Sequence, residues 1–314
     1  MKARGSRNII AGNLACLGAY LIFGFNLVCC KNISNFGGIS PIALFCMRSV
    51  GALALFWILS IFFHKKEKIK KRDLWKIALA SFLGLFLTQF SFLKAITMTT
   101  AVDASLLSLL SPIMTMIVAA VVIKDRITPS GVIGLSISLA GVLFLVLTGV
   151  SLRAGANHTS IGGVLLMLVN TLSFATYVGV FKPLIKKYSV ITFMKWMFLF
   201  SSAFALPFGI DDLISINYSS IPSDILLQIL FVVVCATFIA YFLIPVGQKK
   251  LRPVVVCMYS YVQPVIAMGI SLAIGLDHMT WQKGVATLFI FAGVSIVNFS
   301  KQKPKKQKTS YSPS

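Results

Sequence analysis

Apolar runs of about 18 to 22 residues follow one another along nearly the whole chain, and this limits its folds more than any other feature. A helix of about 20 residues crosses a hydrocarbon core about 30 Å thick. A spanning strand needs about ten alternating residues, and these runs do not alternate. The expected fold class is therefore an all-α integral membrane protein. Composition agrees: 57% of the 314 residues are hydrophobic, 12% are charged, and the mean hydropathy is +0.89. A soluble domain is nearer a quarter charged. Ten transmembrane helices are expected, at 9–29, 41–63, 74–93, 101–122, 130–150, 161–181, 190–209, 224–247, 254–274 and 283–300. The first does not read as a cleaved signal, because its apolar stretch is long and no A-x-A-like site follows it.

The net charge of +21 invites a nucleic-acid reading, but the distribution of the charge argues for a membrane. Basic residues cluster before the first segment and after the second, fourth, sixth, eighth and tenth. These loops and the tail hold 22 of them, against four in the alternate loops (Lys31, Lys94 at an edge, Arg153 and Lys283). The positive-inside rule then places the N and C termini in the cytoplasm. Residues 301–314 form a basic cytoplasmic tail, read as solvated, with contact to anionic lipid as the other reading. All six cysteines lie in or beside apolar runs with no CxxC pair, and the three histidines stand in separate loops. No metal set and no cofactor is expected.

The two halves overlay. At an offset of 151, Gly12 meets Gly163, Phe23 meets Phe174 and Lys31 meets Lys182. At 152, Phe86 meets Phe238, Phe90 meets Phe242, Pro112 meets Pro264, Asp125 meets Asp277, Thr128 meets Thr280 and Gly141 meets Gly293. Five segments per half is an odd number, so the second half is expected upside down: two inverted five-helix repeats, at 9–150 and 161–300. Inverted repeats are a recurring plan of secondary transporters. Pro112 and Pro264 are expected mid-membrane. A helix-interior proline removes a backbone hydrogen bond, and matched interruptions in two halves point to a midplane site. Structural kinks without ligand contact are the alternative.

Several stretches resemble the EamA-type branch of the drug/metabolite transporter superfamily. "FGFNLVCCK" (23–31) is similar to its first-helix signature, and "SPIALFCMRSVGALAL" to its second helix, with Pro41 and Arg48 in place. "KAITMTTAVDASLLSLLSPIMTMIVAAVVIKDRIT" resembles the fourth-helix motif, and "ATFIAYFLIPVGQKKLRPVVVCMYSYVQPVIAMGISLAIGLDHMT" is similar to its second-half copy. Asp125 and Asp277 stand where the family often has Glu. The resemblance covers about residues 9–300. It implies ten helices in inverted repeats, and export or exchange of small metabolites.

Ionisable residues inside a membrane are functional candidates. Arg48, about seven residues beyond Pro41, is read as a substrate or interhelical contact, or as structural. Lys195 is read as reaching to headgroups. Lys94 and Asp103 pair across a short loop, or else form an outer gate or coupling pair. With Pro112 and Pro264, Arg48, Lys94 and Asp103 make up the gating or coupling set. The substrate-binding candidates are Asn26, Gln89, Ser111, Tyr177, Tyr241, Tyr259 and Gln263. Buried polar groups need partners, which a solute-filled cavity or a neighbouring helix supplies. Amides, hydroxyls and aromatics together suit a neutral or zwitterionic solute, amino-acid-like or similar.

The expected function is a secondary transporter in a bacterial inner membrane, exporting or exchanging a small polar metabolite by alternating access. A channel, or a structural or receptor-like bundle, is the alternative. An enzyme is not expected, since Asp103 is the one acid near the core and no histidine accompanies it. For the same reason, facilitated transport or exchange is favoured over proton antiport. The expected partners are a small-molecule substrate and the lipid bilayer, with no nucleic acid. The sequence assigns no oligomeric state.

Overall fold

Serine and threonine start many of the helices. Ser40 Oγ accepts from Ala43 N, Thr100 Oγ1 from Asp103 N, Ser160 Oγ from Gly163 N and Ser189 Oγ from Thr192 N. Each hydroxyl satisfies an amide that the first helical turn leaves without a partner. The computed structural model describes residues 2–62, 67, 69–122, 129–149, 159–251, 255–256, 259–276 and 278–300. His64, Asp125, Thr128, Arg153, His158, Cys257, Asp277 and the 301–314 tail lie outside the described residues, as do the side chains of Pro112 and Tyr261.

The helices, in chain order, are α1 (Lys2–Phe36), α2 (Pro41–Phe62), α3 (Lys71–Thr97), α4 (Ala101–Ser108), α5 (Ser111–Val122), α6 (Pro129–Gly149) and α7 (Ile161–Val180). There follow α8 (Lys182–Lys187), α9 (Val190–Ser215), α10 (Ser223–Lys250), α11 (Val262–Ala273) and α12 (Trp281–Ser300). Among the described residues, six helices have the length and apolarity to cross a membrane: α2, α3, α7, α9, α10 and the Ile9–Phe36 part of α1. The protein is an all-helical integral membrane protein. Many large apolar side chains are exposed, with Phe62, Trp75, Phe208 and Leu288 each more than 70% exposed, while Asn26, Arg48, Gln89 and Asp103 are buried. Apolar outside and polar inside suits lipid as solvent.

Packing crosses between the halves in matched pairs. Helix α1 packs on α10 and α11, and α7 packs on α3 and α5. Helix α2 packs on α9, and α6 on α12. Residues 152 apart meet directly: Ser49 Oγ lies 3.2 Å from Ser201 Oγ, and Ser138 Oγ donates to Ile290 O at 3.3 Å. The α6–α12 contact is closest at Gly293, where an added Cβ would stand 2.4 Å from Gly134 O.

Helices α3 and α10 each contain one π-helical turn, at Phe82–Leu87 and Val232–Ile239. A π turn frees backbone carbonyls, and hydroxyls take them up. Thr88 Oγ1 and Ser173 Oγ both donate to Leu83 O at 2.7 Å, and Thr237 Oγ1 donates to Val232 O at 2.7 Å.

The expected 101–122 helix is interrupted, but Pro112 is not interior to a continuous helix. The chain turns at Leu109–Leu110, whose amides donate three residues back to Leu106 O and Leu107 O. Pro112 is the second residue of the new helix α5. In the second half a 3₁₀ turn at Tyr259–Tyr261 precedes α11, and Pro264 is its third residue. A proline in a first turn forfeits no intrahelical bond, because that N–H would have no carbonyl to reach. Serines satisfy the carbonyls around the first interruption: Ser105, Ser108 and Ser111 each donate to the carbonyl three residues back.

Lys31, expected in an outer loop, is buried. Helix α1 runs on to Phe36 and ends where Gly37 takes a positive φ of 74°. Lys31 Nζ donates to Ile96 O at 3.1 Å and Thr99 O at 2.6 Å, at the C-terminal end of α3. Its counterpart Lys182 donates to Leu251 O, just past the end of α10. Each lysine thus meets the negative end of a helix dipole.

Candidate functional site

A cavity of about 70 Å³ opens between α1, α2, α3, α7, α10 and the two interruptions. Six sequence candidates line it: Asn26, Arg48, Gln89, Ser111, Tyr241 and Gln263. Four pairs of repeat-equivalent residues face the same space: Phe23 with Phe174, Gln89 with Tyr241, Ser108 with Ser260, and Ser111 with Gln263. Gln89 Nε2 donates to the hydroxyl of Tyr241, its equivalent 152 residues on. Phe23 packs edge-on to Tyr241 with ring centres 5.5 Å apart, and to Tyr20 at 5.7 Å.

Arg48 is the charged group of this lining. It is 1% exposed and held from two sides. Its Nε donates to Thr237 Oγ1 at 2.9 Å, and its Nη1 to Cys30 Sγ at 3.7 Å. The Thr237 hydroxyl proton is already committed to Val232 O, so its oxygen is oriented to accept. The π turn of α10 therefore supplies the support for the guanidinium. Cys30 in turn donates to Asn26 Oδ1 at 3.5 Å, which joins two candidates in one network. Arg48 Nη2 is buried and has no hydrogen-bond partner among the described residues.

The other candidates lie elsewhere. Tyr177, expected beside Asn26's position in the partner half, is buried in an apolar cluster with its ring against Gly84. An added Cβ there would stand 2.5 Å from Tyr177 Cγ. Tyr259 packs beside Cys16 and Val256 and against the cluster of Tyr20, and is not itself among the cavity-lining residues. Pro264 is buried in the first turn of α11. Lys94 is exposed, and no ion pair joins it to Asp103. Asp103 instead accepts from Thr159 Oγ1, which ties the start of α4 to the approach to α7. Lys195 Nζ stands 5.0 Å from the Trp57 ring, a cation–π contact.

Reading by residue type missed Tyr20, Thr88, Phe92, Met167 and Asn170 as well as the phenylalanine and serine pairs. Asn170 Nδ2 donates to Thr88 O at 2.7 Å, and so brings α7 to α3 beside the cavity. The signal for Ser108 and Ser260 was present. They stand one turn before Ser111 and Gln263, at the same offset of 152.

The sequence profile of the EamA-like transporter family matches residues 10–147 and again 161–299. The chain belongs to the EamA-like transporter family. Its relatives include the uncharacterized transporter YetK of Bacillus subtilis (strain 168), 24% identical over 310 residues, covering 96% of this chain and 89% of that protein. The uncharacterized transporter YyaM of the same organism is 24% identical, with 86% and 90% covered. An uncharacterized transporter of Archaeoglobus fulgidus is 28% identical over 204 residues, 65% of this chain and 68% of that one. A crystal structure with a TM-score of 0.64 is 17% identical and covers 92% of this chain and 96% of the other, a likeness of fold. EamA-like membership makes this a membrane transporter by kinship.

Proposed function

We propose that this EamA-like protein is a secondary transporter that exports or exchanges a small polar metabolite across the bacterial inner membrane by alternating access. In this reading ten transmembrane helices form two inverted repeats, 9–150 and 161–300, with both termini cytoplasmic. The observation that carries it is the convergence of four repeat-equivalent pairs on one cavity. Each half supplies the same positions to a shared site, so exchanging the conformations of the halves opens that site to the opposite face. The interruptions at Leu109–Leu110 and Tyr259–Tyr261 are the gate elements. Ser111 and Gln263, next to them, couple solute contact to gate geometry.

Counterflow in proteoliposomes tests this. Preloaded solute should accelerate uptake of labelled solute, with saturation. Flux without counterflow would make the protein a channel, and absence of flux across a broad metabolite panel would leave a structural bundle. Topology is tested by thiol labelling. Cysteines near Asn35 and Asn217 should react with impermeant reagents in intact cells, and cysteines near Lys187 should not. The reverse pattern would overturn the inverted arrangement.

A further inference from the structure

We infer that the solute carries a carboxylate, and that Arg48 Nη2 is its docking point. This deepens the transporter reading and rests on it. Arg48 is 1% exposed and lines the cavity, yet no acidic side chain pairs with it among the described residues. The chain has eight acidic residues. Asp103, 3% exposed, is engaged with Thr159. A buried guanidinium without a counter-charge is costly, and an arginine keeps its proton at all relevant pH.

The geometry shows what the protein does with that charge. Two edges of the guanidinium are tied by Thr237 and Cys30, which fixes its plane. The remaining nitrogen, Nη2, is buried and has no partner among the described residues, and the arginine that carries it lines the cavity. A solute carboxylate supplies the missing acceptor and the missing charge in one group. Beyond it, Phe23 and Phe174 present apolar surface for the body of the solute, and the amides of Gln89 and Gln263 present neutral polar groups. Among the described residues no acidic side chain lines the cavity, so a positive centre on the solute gains no ion pair there. The shared chemistry is a small organic carboxylate, either a simple monocarboxylate or an amino acid.

The test is isothermal titration of purified full-length protein in detergent with hexanoate, benzoate, leucine and phenylalanine, each beside its primary amide. At least one acid should bind wild type about 100-fold more tightly than its amide. Hexanoate or benzoate ahead of the amino acids identifies a simple monocarboxylate, and the reverse order an amino acid. Arg48→Gln should abolish the preference of acid over amide. Arg48→Lys, which keeps the charge, should retain it with affinity reduced about tenfold. Should Arg48→Gln not purify as a monodisperse protein, the wild-type ratio and Arg48→Lys decide. Amides binding as tightly as acids, acids showing no binding to wild type, or an acid preference surviving in Arg48→Gln would each overturn the assignment. Counterflow of the same panel separates the two levels. Counterflow of amides but not acids refutes the carboxylate and leaves the carrier intact, whereas flux of acids without counterflow refutes the carrier.

Discussion

Arg48 and Phe200 occupy the same place in the two halves, 152 residues apart, and their next neighbours Ser49 and Ser201 touch. Their environments differ completely. Arg48 is buried at the cavity wall on Thr237 and Cys30. Phe200 is half-buried beside Trp196, with ring centres 6.2 Å apart. The backbone repeats and the chemistry does not. Under the proposed alternating access, a symmetric scaffold would let the halves exchange shapes, while a single-sided charge gives the cavity a polarity that symmetry would cancel. The pairs that stay alike, Phe23 with Phe174 and Ser108 with Ser260, also line the cavity.

The largest expected effect tests this contrast directly. Arg48→Met should lower transport efficiency about 100-fold, or ~3 kcal/mol, while Phe200→Leu should change it by no more than about twofold. Equal losses in initial-rate transport would mean that the two positions share a packing role.

Next comes the paired glycine contact. An alanine Cβ at Gly293 would meet backbone atoms, Gly134 O at 2.4 Å and Ser138 N at 2.6 Å, which cannot swing aside. At the equivalent Gly141 its nearest atoms are side-chain carbons, Phe289 Cβ at 2.8 Å and Ile290 Cγ1 at 3.0 Å. Overpacking costs about 1–3 kcal/mol, so Gly293→Ala should lower the melting temperature in detergent more than Gly141→Ala. The opposite order would refute the backbone argument.

The lysine pair is expected to show a smaller difference. Lys31 is 2% exposed and donates to Ile96 O and Thr99 O, whereas Lys182 is half-buried where it donates to Leu251 O. Leaving buried carbonyls unsatisfied costs about 1–3 kcal/mol. Lys31→Met should therefore destabilise more than Lys182→Met in thermal unfolding, and matching losses would show that burial does not separate them.

The smallest effect belongs to the surface pair of Lys187 with Asp73, where the Tyr188 hydroxyl also donates to Asp73. The hydrogen bond and charge of Asp73 raise the Lys187 pKa above its ordinary value. A raised folded-state pKa means that the contribution is complete below the unfolded lysine value and is lost as pH climbs through the folded one. The melting-temperature gap between wild type and Lys187→Met should stay level from pH 6 to about pH 10 and close above it. A gap that closes near neutral pH would sink this account.

Much of the cavity was legible before any coordinates, since polar residues in apolar runs are few and the offset of 152 flagged them in pairs. The same logic failed for Tyr177. Its equivalent Asn26 lines the cavity, yet Tyr177 turns into the cluster where Gly84 leaves room for a ring. It failed for the prolines also, because the break is set one turn earlier by Leu109–Leu110 and its serine ladder.

Hydropathy and repeat register, both local or additive along the chain, were determined by sequence alone: an apolar helical chain and a doubled segment pattern. Which equivalents converge was decided by the tertiary structure. Helix α1 packs on α11 where Gly24 admits Ile266, and on α10 where Gly247 admits Cys16. Helices approach closely only where side chains are small. Those contacts lie more than 200 residues apart in the chain, where no periodicity can announce them.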